Sequence, residues 1–427
     1  MNSTPNSNRK HISIYGKTNA GKSSLINGIL GQDLCLVSKV PGTTTDPVLK
    51  AMELIPVGPV LFIDTAGLDD HTELGSIRMK KSIEMLKRTD FALYVMDGND
   101  IDEDNYDHMK IEFKKYNISS ILVINKIDVI PRESLQYLRK KYTGAFFVSV
   151  ETGEGIEELK KGIAIRLEEE EEEIPIIGDL VPYDGKVVLV IPVDSEAPKG
   201  RIILPQVQCL RDCLDHGIKA YVVRDTELSS ALEDIQNVEL VVTDSQAFKK
   251  VSRIVPGDIN LTGFSILFAR HKGDLKSFVD GTEKIKELNE NSKILICESC
   301  THNVSHEDIG RVKIPKLLNK AVGVDLEYHY KIGHDFPEDL SKYDLVIHCG
   351  ACMINRKTVT LRVKRCKEQN VAITNYGVIL AYLNGILDRS IEIEYFFSFC
   401  YKILKNQNME HTNHFHQHLE LLYIEDY

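Results

Sequence analysis

One segment constrains the fold more than any other: GKTNAGKS, residues 16–23, directly follows the β-branched run HISIY. It matches the phosphate-loop pattern GxxxxGKS in the setting that the pattern requires, between a strand and a helix. Gly16 and Gly21 let the backbone curl so that successive N–H groups face phosphate oxygens, and Lys22 adds a point charge for the β and γ phosphates. Ser23 offers a hydroxyl to Mg²⁺ at the start of a helix, whose dipole also favours an anion. The segment predicts a nucleotide-binding α/β domain.

A second group of polar residues follows the next strand. Asp64 and Gly67 belong to DTAG, directly after the hydrophobic run PVLFI. A carboxylate at this place lies near the magnesium ion, and a glycine N–H can sense the γ-phosphate. Before this strand lies PGTTTD, in which Thr44 is the best candidate for a switch hydroxyl that also binds magnesium. We expect Lys22 to act with these three residues in catalysis, and Ser24 to join the nucleotide-binding positions.

Two further motifs predict which base is bound. Asn125, Lys126 and Asp128 form NKID after the run SILVI, and Ser149 lies in FVSVETGEG. The two carboxylate oxygens of Asp128 can accept hydrogen bonds from N1–H and from the exocyclic amino group of guanine, whereas adenine presents no such pair of donors. Four motifs in this order, each at a strand end, indicate GTP as the nucleotide and predict a GTPase.

These motifs resemble those of the translation-factor-related GTPases of the Era, EngA and TrmE group, over the chain up to about residue 170. In that group an asparagine of the phosphate loop helps to bind K⁺, and Asn19 stands at the matching position. The resemblance therefore implies K⁺ as a cofactor, although Thr45 replaces the arginine of the group's PGTTRD segment. Leu68 follows DTAG where Ras-like enzymes carry a water-orienting glutamine, so we expect slow hydrolysis. Glu73 is the nearest acidic residue that could position the attacking water. The alternative is that Glu73 is a solvated carboxylate of a loop.

The alternation of strands and helices predicts an α/β protein, with a phosphate-loop domain followed by two further α/β domains. Six consecutive glutamates, Glu168 to Glu173, and then Pro175 suggest the first boundary. The predicted strands of the second domain are KVVLVIPV, KAYVVR, VELVVT and FSILFA, and those of the third are KILIC, LEYHY, DLVIHC and VAITN. We place the domains at residues 1–170, 171–270 and 271–397. A polar tail follows at 398–427, and we read its four histidines as adventitious metal binders rather than as a specific site.

Cysteine and histidine residues follow two strands of the third domain. Cys300 and His302 come just after KILIC, and His348, Cys349 and Cys352 end or follow DLVIHC. Ligands past the carboxyl ends of strands can converge in one crevice, and thiolates suit an iron-sulfur cluster or zinc. Two CxxC pairs that include Cys297 instead allow a structural zinc site or a thiol redox enzyme. The remaining cysteines are read as packing residues: Cys35, Cys209, Cys213, Cys366 and Cys400.

The GTPase motifs, the second α/β domain and the spacing CxHx45HCxxC together resemble the FeFe-hydrogenase maturation GTPases of the HydF family. The resemblance implies a scaffold and carrier that two radical-SAM maturases load with a diiron precursor, which is then transferred to apo FeFe-hydrogenase. It implies a homodimer formed by the second domain and a 4Fe-4S cluster in the third. The implied thiolate ligands are Cys300, Cys349 and Cys352, with His302 and His348 near the exchangeable position. Cys297 lies outside the family's motif, which leaves the fourth ligand open.

Composition excludes several other classes. The net charge of -11 argues against nucleic acid and anionic membrane as partners, and no run approaches the length of about 18 apolar residues that a membrane helix needs. Nine cysteines in a chain that begins with a polar segment fit a reducing compartment, so we expect a cytoplasmic protein. The alternative from another class is a ribosome- or RNA-associated GTPase with a structural zinc module, against which the acidic balance counts.

Overall fold

The structure is a computed structural model that describes residues 4–31, 48–65, 67, 81–169, 174–193, 202–299 and 308–394. Thr44, Thr45, Leu68, Glu73, Cys300, His302 and the histidine-rich tail therefore lie outside the described residues. The chain separates into two compact units, Met1–Glu172 and Glu173–Tyr427. Each unit is described by itself.

The first unit contains a six-stranded sheet in the order β2-β3-β1-β4-β5-β6. Strand β2 runs antiparallel to β3, and the other neighbouring strands are parallel, so the predicted mostly parallel sheet is confirmed. The strands are β1 (Lys10–Tyr15), β2 (Val48–Leu54), β3 (Gly58–Asp64), β4 (Phe91–Asp97), β5 (Ser119–Asn125) and β6 (Phe146–Phe147).

Helices cover both faces of this sheet. They are α1 (Lys22–Leu30), α2 (Glu103–Lys115), α3 (Arg132–Lys141) and α4 (Ile156–Glu168). The central strands carry continuous apolar runs because they are buried on both faces, and one hydrophobic core lies on each side of the sheet. This packing fixes the carboxyl ends of β1, β3, β4 and β5 along one edge, where the predicted motifs follow.

The second unit contains two four-stranded parallel sheets. The middle sheet has the order β10-β9-β7-β8, and the third sheet has the order β12-β11-β13-β14. The middle strands are β7 (Lys186–Val190), β8 (Lys219–Val223), β9 (Leu240–Thr243) and β10 (Asn260–Gly263). The strands of the third sheet are β11 (Lys293–Glu298), β12 (Glu327–Ile332), β13 (Leu345–His348) and β14 (Ala372–Asn375). The α/β class predicted for both later domains is confirmed.

Helices again connect the parallel strands of the second unit. Those of the middle sheet are α5 (Leu204–Asp215), α6 (Leu228–Asp234), α7 (Phe248–Val251) and α8 (Phe264–Lys272). Those of the third sheet are α9 (Leu275–Asp280), α10 (Ile314–Val322), α11 (Arg356–Glu368) and α12 (Tyr376–Leu383). No helix in the described part of the chain is both long and apolar enough to cross a membrane.

The prediction that FSILFA forms a strand is wrong, because this segment begins helix α8. The strand is the preceding β10, which ends at Gly263. Helix α8 contributes side chains to two hydrophobic cores: Phe264, Leu267 and Phe268 pack under the middle sheet, whereas Ile266 and Ala269 pack under the third sheet. A helix buried on both faces has no polar stripe, so its short apolar run cannot be distinguished from a strand by periodicity.

Candidate functional site: a nucleotide edge and a cysteine turn

The phosphate loop joins β1 to α1 in a conformation that only glycine adopts readily. Gly16 has a φ of 143°, and a Cβ at this position would overlap the carbonyl oxygen of Val95. Gly21 has a φ of 91°, and a Cβ there would overlap the side-chain amide of Asn125. The two glycines therefore allow the loop to pass closely over strands β4 and β5.

Lys22 lies across this loop at the beginning of α1. Its Nζ donates hydrogen bonds to the carbonyl oxygens of Gly16, at 3.0 Å, and Lys17, at 2.7 Å. The side chain is buried, so its charge acts in a region of low dielectric at the helix N-terminus. Ser24 occupies the first turn of the same helix and is half-buried.

Ser23 and Asp64 form the part of the edge that suits a divalent cation. Ser23 Oγ donates a hydrogen bond to Asp64 Oδ2 at the end of β3. The other oxygen, Asp64 Oδ1, is buried and has no hydrogen-bond partner among the described residues. Burial raises the pKa of Asp64, while Ser23 and the charge of Lys22 oppose that shift. Hard oxygen donors with one unused acceptor fit Mg²⁺, which prefers a carboxylate, a hydroxyl and water.

Gly67 lies against the phosphate loop. A Cβ on Gly67 would overlap the backbone nitrogen and the side chain of Thr18, so a larger residue would push the two segments apart. Thr65, two residues earlier, donates a hydrogen bond from Oγ1 to the carbonyl oxygen of Ile14 at 2.6 Å. These contacts hold the start of the DTAG segment beside the residues that precede α1.

The NKID residues are tied to the phosphate loop by two hydrogen bonds and to the end of β4 by a third. Asn125 Nδ2 donates to the carbonyl oxygen of Ala20 at 3.1 Å. Lys126 Nζ donates to the carbonyl oxygen of Asn19 at 2.8 Å and to Asp97 Oδ2 at 2.6 Å. Lys126 has a φ of 63°, so the chain turns sharply directly after β5. The NKID motif thus supports the phosphate loop.

Asp128 is oriented by Ser149. Ser149 Oγ donates a hydrogen bond of 2.6 Å to Asp128 Oδ1, and the Thr152 N–H donates to the same hydroxyl at 3.2 Å. Asp128 itself is exposed, so its carboxylate is accessible to a base. The structure therefore brings the described residues of all four motifs to one edge of the sheet. Asn19 lies there too, with an exposed side chain and a φ of 64°.

A second site lies where β13 ends in the third sheet. Cys349 begins a turn that leads into α11, and its N–H donates to the carbonyl oxygen of Cys297 at 2.8 Å. Cys349 Sγ lies 3.0 Å from both the backbone nitrogen and the Oγ of Ser299. Ser299 precedes Cys300 in the sequence, so the two segments that carry the predicted thiolates meet at this point. Cys352, further along the turn, is half-buried.

His348 has both ring nitrogens engaged. Arg362 Nη1 lies 2.9 Å from His348 Nε2, and because a guanidinium can only donate, Nε2 accepts. Nδ1 therefore carries the proton and donates to the carbonyl oxygen of Cys349 at 2.8 Å. Burial, together with the charge of Arg362, lowers the pKa of His348 to about 3, so the ring is neutral. In this geometry His348 orients the turn rather than presenting a nitrogen to a metal.

Cys297 is a core residue. Its side chain is fully buried among apolar residues under the third sheet, and burial raises the pKa of its thiol to about 12. A neutral thiol in this environment is a poor metal ligand. Cys209, Cys213 and Cys366 are also free, buried thiols, as expected for packing residues, whereas Cys35 and Cys400 lie outside the described residues.

Two buried oxygens beside the cysteine turn have no hydrogen-bond partner in the part of the chain that the structure describes: Glu298 Oε1 and the Tyr376 hydroxyl. A Cβ on Gly310 would overlap the Tyr376 hydroxyl and approach Glu298 Oε1 to 3.0 Å, so both oxygens face the same small space. Arg311 pairs with the other carboxylate oxygen, Glu298 Oε2, at 3.0 Å. Within the described residues, no three Cys, His, Asp or Glu side chains are grouped to hold a metal ion. The thiols of Cys349 and Cys352 and the N–H donor to the Cys349 sulfur are groups of the kind that hold iron-sulfur clusters in proteins.

Several residues of these sites are not predicted from the sequence motifs. Asp97 and Thr18 contact motif residues, but they stand at positions where the motif pattern specifies no residue type. Ser299 and Arg362 act on Cys349 and His348 through contacts made by the folded chain. The sequence offers one signal for Ser299: like Cys349, it directly follows a hydrophobic strand. Because these two strands, β11 and β13, are neighbours in the sheet, the two residues lie side by side.

Three family models match successive parts of the chain. The family model for the hydrogen maturase F dimerization domain matches residues 176–273, and the model for its tetramerization domain matches residues 276–393. A third model, of the 50S ribosome-binding GTPases, matches residues 11–126.

Similar curated proteins match the first unit. The tRNA modification GTPase MnmE of Legionella pneumophila is 38% identical over 152 residues, which cover 35% of this chain and 33% of that protein. GTPase Era of Carboxydothermus hydrogenoformans is 31% identical over 159 residues, which cover 36% of this chain and 53% of that protein. The chain thus spans about a third to a half of the length of these relatives.

The two hydrogen maturase models together match just over half of the chain, directly after a GTPase domain. The chain therefore belongs to the hydrogen maturase F family.

Proposed function

We propose that the chain is a GTP-hydrolysing scaffold in the maturation of FeFe-hydrogenase. It holds a 4Fe-4S cluster in its third domain, receives a diiron precursor from radical-SAM maturases and delivers that precursor to apo-hydrogenase. The observation that carries the proposal is the turn at Cys349 and Cys352. Two thiols stand at the carboxyl edge of a sheet, in a chain that joins hydrogen maturase F domains to a GTPase domain.

The first unit supplies the residues for GTP binding and hydrolysis. Lys22 is placed to neutralise the β and γ phosphates, and Asp128 to accept hydrogen bonds from guanine. Ser23 and Thr44 would hold Mg²⁺ with Asp64, and the ion would neutralise charge that develops on the phosphates. Thr44 enters this proposal from the sequence motif alone.

Hydrolysis is expected to be slow and stimulated by K⁺. Leu68 stands where a water-orienting glutamine is found in Ras-like enzymes, so this chain offers no such side chain there. Asn19 has an exposed side chain on the phosphate loop, where an amide oxygen suits a monovalent cation. K⁺ at this position would supply positive charge beside the phosphates.

The cluster would be held by Cys300, Cys349 and Cys352. Ser299 donates to the Cys349 sulfur, an interaction that stabilises a thiolate. His302 is proposed to lie near the exchangeable iron position, whereas His348 orients the Cys349 carbonyl. One iron without a thiolate is the point at which a second metal unit would attach.

GTP acts as a switch rather than as a reactant in the metal chemistry. Loss of the γ-phosphate removes the contacts that hold the segments of Thr44 and Gly67, and this change in order is the available signal to partners. The partners are the radical-SAM maturases and apo-hydrogenase, and the chain is expected to act as a homodimer through its middle domain.

Anaerobic reconstitution with iron and sulfide tests the proposal. The wild-type protein should become brown, bind about four irons per chain and give an EPR signal when reduced. Cys349→Ala should lose the signal, whereas Cys366→Ala removes a buried thiol from the neighbouring helix and should keep it. Loaded protein should then activate apo-hydrogenase in a hydrogen-evolution assay. Colourless protein with tightly bound zinc would support the RNA-associated alternative instead.

A further inference from the structure

A buried lysine reaches the cysteine turn from the helix that the two cores share. Lys272 is the last residue of α8 and is only 3% exposed. Its Nζ donates hydrogen bonds to the carbonyl oxygens of Ala351, at 3.1 Å, and Ile354, at 3.3 Å. These carbonyls flank Cys352 on both sides. Lys272 also falls inside the span of the dimerization-domain model, whereas the turn belongs to the tetramerization-domain model.

A buried arginine holds the other end of the turn. Arg362, from α11, is 3% exposed and lies over the ring of Phe336 at 5.1 Å. It donates to His348 Nε2 at 2.9 Å and to the carbonyl oxygen of Gly333 at 2.6 Å. Since His348 in turn donates to the Cys349 carbonyl, Arg362 determines the tautomer of the ring and fixes the start of the turn.

The backbone between these two anchors is strained. Ala351 has a φ of 56°, a left-handed conformation that costs a non-glycine residue about 1 kcal/mol. Two buried cations therefore hold a strained turn that contains both thiols, and burying each cation also carries a desolvation cost. An aliphatic side chain could fill the same volume but could not donate to these carbonyl oxygens, so the two cations hold the turn and also place positive charge beside it.

We propose that Lys272 and Arg362 are positioning residues that hold the Cys349–Cys352 turn and whose buried charges raise the reduction potential of the cluster bound there. The inference rests on the proposed function, because it concerns a cluster held by these thiols. Reduction adds negative charge to a cluster, and a nearby cation in a region of low dielectric stabilises the reduced form. Through Lys272, the helix shared with the middle domain takes part in building the site.

The test is an EPR-monitored redox titration of the reconstituted full chain. Lys272→Met keeps the length and apolar character of the side chain but removes its charge. The midpoint potential should become more negative by at least about 59 mV, which is a tenfold change in the ratio of reduced to oxidised cluster for a one-electron couple. Lys272→Arg keeps the charge and should restore most of the potential. Arg362→Met should shift the potential in the same direction.

Matched controls remove exposed charges nearby. Lys276→Met, in the neighbouring helix α9, and Lys364→Met, in α11, should leave the potential unchanged because water screens both groups. Lys272→Met and Arg362→Met proteins that bind wild-type amounts of iron at the wild-type potential would overturn the inference. Wild-type protein that binds no cluster would overturn the proposed function itself. If Lys272→Met does not fold, the shift in Arg362→Met decides the question.

Discussion

Ser23 donates its hydroxyl hydrogen to one oxygen of Asp64, and the second oxygen of that carboxylate is buried without a partner among the residues that the structure describes. Leaving a buried acceptor unsatisfied costs about 1–3 kcal/mol, and the pKa of Asp64 is raised by the same burial. A cation bound at this oxygen would offset the cost. The hydrogen bond from Ser23 to Asp64 joins the start of α1 to the end of β3, and a magnesium ion held by these two residues would bridge the same two elements.

Asp64→Asn should weaken magnesium-dependent GTP hydrolysis by about 10- to 100-fold, because the amide keeps the shape but loses the charge. The measurement is the hydrolysis rate during a magnesium titration, in which the half-saturating concentration should rise. The control is Asp104→Asn, which changes an exposed residue of α2 and should behave as wild type. An unchanged magnesium dependence in Asp64→Asn would contradict the assignment of the site.

Asp128→Asn should change the base that the chain prefers. Asparagine can accept only one of the two guanine hydrogen bonds and turns its NH2 group toward the other donor. Loss of one bond to a charged group, of about 1.5–3 kcal/mol, corresponds to about 10- to 100-fold weaker GTP binding. Xanthine replaces the exocyclic amino group by a carbonyl, which the asparagine amide can donate to, so XTP should bind better than GTP. Titration with fluorescent nucleotides measures both affinities, and Asp107→Asn is the matched control. Equal loss for both nucleotides would indicate damage to the fold.

The phosphate-loop cation can be tested at Asn19. Hydrolysis by the wild-type chain should be faster in KCl than in NaCl at equal ionic strength, and Asn19→Ala should remove that difference without abolishing GTP binding. The carbonyl oxygen of Asn19, which Lys126 holds, is unaffected by this change. Asn99→Ala removes an exposed amide from the loop after β4 and should retain the K⁺ effect. Equal wild-type rates in the two salts would refute the role of K⁺.

The nucleotide edge follows from the sequence because phosphate and guanine each require a particular residue type at a particular strand end. Gly16, Lys22 and Asp128 can therefore be located by pattern before any packing is known. The same reasoning fails for α8, because a helix that is buried on both faces shows no periodic pattern of apolar and polar residues. It also fails for Lys272 and Arg362, whose partners are backbone carbonyls and a histidine ring that only the folded chain brings near.

The role of Cys297 can be predicted only in part from the sequence. Its spacing to Cys300 matches a metal-binding pair, and sequence alone cannot say which side of β11 its thiol occupies. In the structure it pairs in register with His348 and packs in the core under the third sheet, together with Cys366. A spacing pattern records how far apart two thiols are along the chain, whereas ligation depends on the face of the sheet to which each belongs.

The middle sheet ends in an edge strand that is suited to pairing with another copy. Strand β8 is paired only with β7 within the described residues, and Val222 on it is 48% exposed. Val222 shares a face with Ala220, which packs into the core beneath α5. On α5, Val207 and Leu214 are seven residues apart and both exposed, so they lie on one face of that helix. The region lies inside the span of the dimerization-domain model.

Val222→Asp should convert the chain from a dimer or larger assembly into a monomer, because a charge at this surface would be buried without a partner in the interface. Size-exclusion chromatography with light scattering measures the mass. Ile111→Asp replaces an apolar residue on α2 of the first unit that is even more exposed, at 66%, and should leave the assembly intact. Both variants should hydrolyse GTP, which shows that the first unit is folded. A Val222→Asp protein with the wild-type mass would place the interface elsewhere on the middle domain.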